Sequence, residues 1–354
     1  MNECKKVTVA MSGGIDSAVA ALLVQNAGYD TCGATMRLCE KITDEGIDLN
    51  NSDIADAKSI CDRLAIHHKV YDMQKLFHDV VIRDFVDTYY TGCTPNPCIV
   101  CNRYLKFGAL LDREIESGAD YIATGHYARI VKREDGRYLL LKATDAHKDQ
   151  SYMLWSLSQH QLSHTLFPLG ELTKPEIRQI AEDHGFAIAH KSDSQDICFV
   201  PDGDYASFLQ KEVGEAYPAG DYIDEDGNIL GKHKGVIHYT IGQRKGLGIS
   251  MGRHIFVTKK DAASNTVTLG DEDRLFTDTV VLRNINLIPF DKIEGKIDLK
   301  AKIRYRHPEC DAVAEQTGPN EITLKFADPQ RAPAPGQSAV LYDGDVVIGG
   351  GIIQ

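Results

Sequence analysis

A chain of 354 residues is long enough for two or three domains that each bury a core, and 43% hydrophobic residues, 25% charged residues and 30 glycines exclude disordered, collagen-like and coiled-coil classes. The apolar run Ala18 to Val24 is too short to cross a bilayer and Met1 to Lys6 lead into no signal-peptide core, so a cytoplasmic protein is expected, its nine cysteines held as reduced thiols for chemistry or a metal. A net charge of −12 argues against a general nucleic-acid binder unless basic residues cluster locally.

From Lys6, short β-branched runs alternate with longer amphipathic ones. The pattern predicts a strand Val7 to Met11, a helix from about Asp16 to Ala27 and a strand Thr31 to Met36. It continues with a helix near Asp53 to Leu64, a strand His67 to Tyr71, a helix carrying Phe77, Val80, Val81 and Phe85, a helix after Cys101, and a strand Asp120 to Thr124. This order implies a mostly parallel sheet covered on both faces. Thr173 to Glu176 reads as a capping box opening a helix that ends at His184 and Gly185. After Gly214 the texture becomes all-β, with Asp-Gly turns at 226–227 and 343–344 and a turn at Asn265. The expected organisation is an α/β domain over 1–213, a small β-rich module over 214–275 and a C-terminal β-barrel over 276–354.

Between the first strand and the first helix lies Ser12-Gly13-Gly14-Ile15-Asp16-Ser17. Adjacent glycines let backbone N–H groups close around a phosphate, Ser12 and Ser17 offer hydroxyls, and the helix N-terminus adds its dipole. Asp16 would be repelled by a phosphate unless Mg²⁺ lies between them, so it is read as a helix-start carboxylate that helps hold that ion. No Walker A sequence occurs, since Gly227 to Lys232 has one residue too few and falls in the β half.

Two cysteines stand out. Cys101 sits near a helix start after the stiff Thr94-Pro95-Asn96-Pro97 loop, where the dipole and Arg103 would favour thiolate. Cys198 lies in the polar segment Ser192 to Phe199. Cys4, Cys32, Cys39, Cys61 and Cys310 read as small buried hydrophobes. Cys98-x-x-Cys101 lacks the second pair that a structural zinc needs, but Cys93, Cys98 and Cys101 match an iron–sulfur spacing to which Cys198 could add a fourth thiolate.

The glycine loop resembles that of the ATP-pyrophosphatase superfamily. With Asp53 to Ala57, Thr94 to Pro97, Cys101-Asn102, Gly118 to Tyr127, Lys148 to Tyr152, Ser194 to Phe199 and His238 to Leu247, the chain resembles the tRNA-specific 2-thiouridylases over nearly its whole length. The resemblance implies an ATP-pyrophosphatase-type α/β domain that adenylates the C2 oxygen of the wobble uridine, U34, and replaces it with sulfur. It implies that Ala10, Met11, Ser12, Gly13, Gly14, Ile15, Asp16, Ser17, Met36 and Gly125 contact ATP, bound with Mg²⁺. It further implies that Asn96, Pro97 and Cys98 meet the target base, and that Lys148, Asp149, Gln150, Arg304 and Tyr305 touch tRNA. Cys198 would carry a persulfide, Cys101 would be its partner nucleophile, and a cysteine desulfurase or sulfur-relay protein would supply the sulfur. One departure concerns Cys98, where known members carry an aspartate that is a candidate proton acceptor. A thiol is a poorer base, so that role is not transferred, and Cys98 is left with a local disulfide to Cys101 or an iron–sulfur cluster as its options.

Two basic patches could hold an acidic RNA. Leu230 to Lys260 contains no Asp or Glu but seven Lys and Arg. Ile297 to Arg306 alternates, so a strand there would align Lys300, Lys302, Arg304 and Arg306 as a phosphate-binding ladder.

Overall fold

A computed structural model describes residues 4–39, 49–186, 197–200, 203–214, 217–249 and 251–354. The Ser192 to Asp196 part of the Cys198 motif lies outside the described residues. The chain divides into two compact units, the first comprising 1–81, 98–199 and 344–348, the second 82–97, 200–343 and 349–354.

The opening elements follow the alternation: β1 (Lys6–Ala10), α1 (Ile15–Asn26), β2 (Asp30–Arg37), α2 (Leu49–Arg63) and β3 (His67–Asp72). Then come α3 (Gln74–Phe77), a π-helical turn His78–Ile82 and α4 (Arg83–Tyr90), where the sequence suggested one helix. A single helical run from Pro97 to Glu116 is built from α5 (Pro97–Cys101), a π-helix Asn102–Leu110 and α6 (Leu111–Glu116). β4 (Tyr121–Ala123), β5 (Ala128–Lys132), β6 (Tyr138–Lys142), α7 (Gln159–Ser163), β7 (Thr165–Leu166) and α8 (Lys174–Asp183) complete the first unit's elements. The β5–β6 hairpin interrupts the expected alternation; Asp135-Gly136 was its turn signal.

β3, β2, β1, β4 and β7 form a parallel sheet in that order. α1 shows little amphipathicity because it is covered by the sheet on one side and by α8 on another; Ala18 to Ala21 are fully buried, with Ile177 and Ala181 of α8 in the same core. The capping box at Thr173 and Glu176 starts α8, as expected. On the sheet's other face, buried Glu114 accepts hydrogen bonds from Thr8 (2.7 Å), Lys69 (2.8 Å) and Tyr71.

The second unit contains α4, α9 (Tyr205–Val213) and the remaining strands. Phe85 packs edge-on against Tyr89 and Phe208, and Tyr89 stacks on Tyr205, so an aromatic cluster joins α4 to α9. β8 (Gly220–Ile223), β9 (Ile229–His233), β10 (Phe256–Asp261) and β11 (Thr266–Gly270) form a sheet in the order β10-β11-β8-β9. β12 (Phe276–Leu287), β13 (Lys296–Lys302), β14 (Cys310–Gly318), β15 (Glu321–Arg331), β16 (Ser338–Asp343) and β17 (Val346–Ile353) follow, and pairing of β12 with both β15 and β17 closes them into a barrel.

β13 stops at Lys302, so the expected ladder is broken: Arg304, Tyr305 and Arg306 lie in a turn closed by the His307 N–H to the Arg304 carbonyl. Ile303 is buried at the strand's exit and Pro308, lacking an N–H, cannot extend the pairing. Lys300 also faces Asp311 of β14 at 3.4 Å. In the basic module Lys232 pairs with Asp221 and Arg253 with Asp271, which trims the net charge read from the sequence.

Glu114→Gln should lower stability by about 2–3 kcal/mol, read as a shift in the urea midpoint, because Lys69 loses its counter-charge at a buried site. Burial raises the Glu114 carboxyl pKa, but its hydrogen bonds from Lys69, Tyr71 and Thr8 outweigh this and hold it below the ordinary 4.5. Its contribution is therefore complete above about 4.5 and should vanish as pH falls through the folded value, a slope the Gln variant loses.

Candidate active site

The loop after β1 and the loop after β4 meet where the sheet order reverses direction, the position at which open parallel sheets form a crevice. A Cβ on Gly125 would lie 2.8–2.9 Å from Asp16 and the Ser17 nitrogen, so only glycine allows this approach. Gly13 has φ +74° and a Cβ there would meet the Asp53 carbonyl at 2.4 Å. Met11 is stitched to β2: its N–H donates to the Ala34 carbonyl (2.8 Å) and its carbonyl accepts from Thr35 Oγ1 (2.9 Å). Since Thr35 donates there, His68 Nε2, 2.8 Å away, is the donor to Thr35, and both histidines of the pair at 67 and 68 are strand residues, as read from the sequence.

Ser17 departs from the sequence reading. It is buried, and its hydroxyl donates to the Gly14 carbonyl (2.9 Å) and receives the Ser12 N–H (3.2 Å), so it shapes the loop, whereas Ser12 is exposed. Gly14, the N-cap of α1, provides no side-chain cap, which leaves the first-turn N–H groups of a 12-residue helix turned toward the crevice. Ala10 and Met36 pack half-buried beside Ala34, Met73 and Leu110, and Ile15 is buried under the loop.

Asp16 has partners that the sequence did not reveal. Lys174 Nζ donates to both its oxygens (2.8 and 3.0 Å) and the Tyr127 hydroxyl to one (2.7 Å). A carboxylate so engaged fixes the start of α1 and is a poor ligand for Mg²⁺. Among the described residues no three His, Cys, Asp or Glu side chains are grouped to hold a metal ion. Lys174 and Tyr127 were missed from the sequence. The available signal was a lysine in the first turn of α8, where the dipole disfavours a cation.

Cys101 ends α5 and is 8% exposed. Burial pushes its thiol up to about 11, opposed by Lys106 and reinforced by Cys98 and Cys39. Arg103 is not the relevant cation. Lys106, which lies in the π-helix that begins at Asn102, is the cation whose charge reaches Cys101. Cys98 keeps solvent exposure on one side, and desolvation on its others raises its thiol, again against Lys106. The same lysine acts on His126, which is held neutral by burial beside Phe107 and Phe167 with Nδ1 2.7 Å from Thr124 Oγ1.

Cys198 is exposed, and its neighbour Phe199 packs edge-on against Phe77 at 5.6 Å. Cys101 and Cys198 belong to the same unit, but the cysteines acting on Cys101 among the described residues are Cys98 and Cys39. Cys39 was read as inert and is drawn into this group, while Cys4 is exposed rather than buried.

The residues expected at tRNA fall in both units. Asp149 accepts from the N–H groups of Ala143 and Ser151 and from the Ser151 hydroxyl, and Gln150 Oε1 accepts from the Tyr127 N–H (3.0 Å), so these acceptors brace the loop; Lys148 is half-buried there. In the second unit, Gln337 Nε2 donates to the Thr94 (3.1 Å) and Pro95 (2.9 Å) carbonyls, which pins the stretch leading to Asn96 and Pro97.

The chain matches three family models: the tRNA methyl transferase HUP domain over residues 5–202, the tRNA methyl transferase PRC-barrel domain over 206–271 and the aminomethyltransferase beta-barrel domain over 277–353. Fold and crevice thus define a HUP-domain enzyme extended by two β modules. It is 47% identical over 353 residues to the tRNA-specific 2-thiouridylase MnmA of Halothermothrix orenii, covering 99% of both chains. It is 47% identical over 359 residues to that of Treponema denticola, covering 99% of this chain and 98% of the relative. At 45% over 354 residues it is similar to that of Clostridium acetobutylicum, with 99% of each covered. The chain belongs to the tRNA-specific 2-thiouridylase family. A solved 4-thiouridine synthetase–RNA complex with bound ATP aligns with 59% of this chain and 50% of its own at 18% identity and a TM-score of 0.37, which adds nothing to the assignment.

Alkylation of the resting protein should label exposed Cys198 well before Cys101 at about pH 8, with Cys101 reacting appreciably only as pH approaches 11. Lys106→Met should move the Cys101 profile to higher pH, read by mass analysis of the labelled peptides.

Proposed function

We propose that the protein thiolates C2 of the wobble uridine, U34, of tRNA in an ATP-dependent reaction in the cytoplasm, with 1–213 as adenylating domain, 214–275 as a tRNA-contacting module and 276–354 as a C-terminal barrel. The observation that carries this reading is the uncapped first turn of α1 against Gly125, in the same unit as a buried thiol under a lysine. The full-length likeness to 2-thiouridylases supports the choice of substrate.

In this reading the phosphates of ATP seat on the first-turn amides, with Ala10 to Ser17, Met36 and Gly125 forming the pocket. Asp16 acts by position: locked to Lys174 and Tyr127, it fixes the angle at which α1 presents its N-terminus. The C2 oxygen of the uridine attacks the α-phosphorus and pyrophosphate leaves, which turns a poor leaving group into AMP. Cys198 carries a persulfide loaded by a cysteine desulfurase or sulfur-relay protein. Its terminal sulfur attacks C2 and expels AMP; Cys101 then attacks the Cys198 sulfur, which frees 2-thiouridine and leaves a Cys101–Cys198 disulfide. Alternatively Cys101 attacks the persulfide first and releases sulfide as the nucleophile, with the same disulfide remaining. Lys106 is the cation placed to stabilise the Cys101 thiolate as it forms. Asn96, Pro97 and Cys98 meet the base, and Lys148, Asp149, Gln150, Arg304 and Tyr305 contact tRNA.

Incubation with tRNA, ATP and a loaded sulfur donor should give 2-thiouridine together with AMP and pyrophosphate. Cys101→Ser, Cys198→Ser and Asp16→Ala should each lose the product, measured by mass analysis of digested nucleosides. ADP as the product, or full thiolation by Cys198→Ser, would refute the mechanism.

A further inference from the structure

The reaction above ends with an oxidised enzyme, and Cys101, one of the two sulfurs in that disulfide, is almost fully buried. An external reductant reaches that bond only from the side of Cys198, the exposed partner. Three residues earlier, on the same helical turn, Cys98 is exposed. Residues i and i+3 of a helix lie on one face with Cα atoms within the roughly 4.4–6.8 Å that a disulfide spans, and their Cβ atoms, about 5–6 Å apart, need only a small closure of this first turn to reach the roughly 3.5–4.5 Å of the bond. The backbone at Cys101 is helical (φ −60°, ψ −45°), so the turn continues without a break that would part the two thiols.

We propose that Cys98 is the resolving thiol of this enzyme, regenerating Cys198 by forming a Cys98–Cys101 disulfide that an external dithiol then reduces. This rests on the sulfur-transfer reading above. The Cys98 thiolate attacks the Cys101 sulfur; the Cys101–Cys198 bond breaks as the Cys98–Cys101 bond forms, and Cys198 departs as a thiolate ready for reloading. No net electrons are exchanged in that step. A cellular dithiol then attacks the accessible Cys98 sulfur, Cys101 leaves and takes up a proton, and the dithiol closes to its own disulfide, carrying off two electrons. The shared field of Lys106 favours both thiolates against their burial. Cys39, whose charge also reaches Cys101, is the competing resolver.

Two measurements on the full-length protein test this. In the first, protein without tRNA is equilibrated in mixtures of reduced and oxidised glutathione, quenched with acid, alkylated and mapped by mass spectrometry. A two-electron transition that links Cys98 to Cys101, and is lost in Cys98→Ser, is expected; failure of that bond to form, or a Cys39–Cys101 link in its place, overturns the proposal whatever the fate of the thiolation reading. In the second, protein loaded with sulfur is mapped after one turnover, while 2-thiouridine is quantified separately. Wild type should end with Cys98–Cys101 and an alkylated Cys198, whereas the share of Cys98→Ser molecules that made 2-thiouridine, counted against the quantified product, should hold Cys101–Cys198. Thiolated tRNA accompanied by a persisting Cys101–Cys198 bond and alkylated Cys98 in wild type would overturn the resolving role alone. Absence of 2-thiouridine with the glutathione-formed Cys98–Cys101 bond intact would sink the sulfur-transfer reading instead.

Discussion

The ion pair between Lys174 and Asp16 sets the geometry on which the rest of the crevice depends. It ties the first turn of α1 to the first turn of α8, and the Tyr127 hydroxyl adds a third point from the loop after β4. Lys174 is 5% exposed, so its charge is held by this carboxylate in a region where water competes little. With the helix start fixed, Gly125 can approach it with no side chain between them, and the first-turn amides stay uncapped and oriented. Asp16, read from the sequence as a helix-start carboxylate, is thereby also a strut. An anion pocket made of backbone amides gains from such a strut, since amides aimed in advance need no reorganisation when charge arrives.

The thiol site follows a different logic. Desolvation alone would leave Cys101 inert, and among the described residues the counteracting charge comes from Lys106. That lysine lies on the π-helix that follows Cys101 directly. Resting protection and conditional reactivity are compatible: a persulfide or a developing negative charge needs the nucleophile only once substrates are assembled. The charge of Lys106 also reaches His126, whose neutrality follows from burial, so one cation acts on both thiols and this imidazole.

The surface charge is less concentrated than the linear sequence suggests. Lys232 and Arg253 are each matched by an aspartate from a neighbouring part of the same module, and Lys260 Nζ is buried, with burial pulling its pKa down to about 8. In the barrel, Lys296 and Lys300 face Glu315 and Asp311 across the strand pair. Arg304 and Arg306 escape this pairing because the strand ends before them and the turn lifts them outward.

The sequence by itself determined the parallel sheet, the strand–loop–helix setting of Ser12 to Ser17, the α8 capping box and the turns at Asp226-Gly227 and Asp343-Gly344. These are local properties: residue periodicity, caps and turn chemistry act over a few positions and are written in neighbouring letters. Its motifs also carry the family resemblance. Tertiary structure alone decided that Asp16 meets Lys174, 158 residues away along the chain. It likewise decided that Lys106 supplants Arg103 and that the cationic strand ends at Lys302. Each of these depends on which side chains are brought together or buried by distant segments, and neither pitch defects nor long-range ion pairs leave a periodic trace in the sequence.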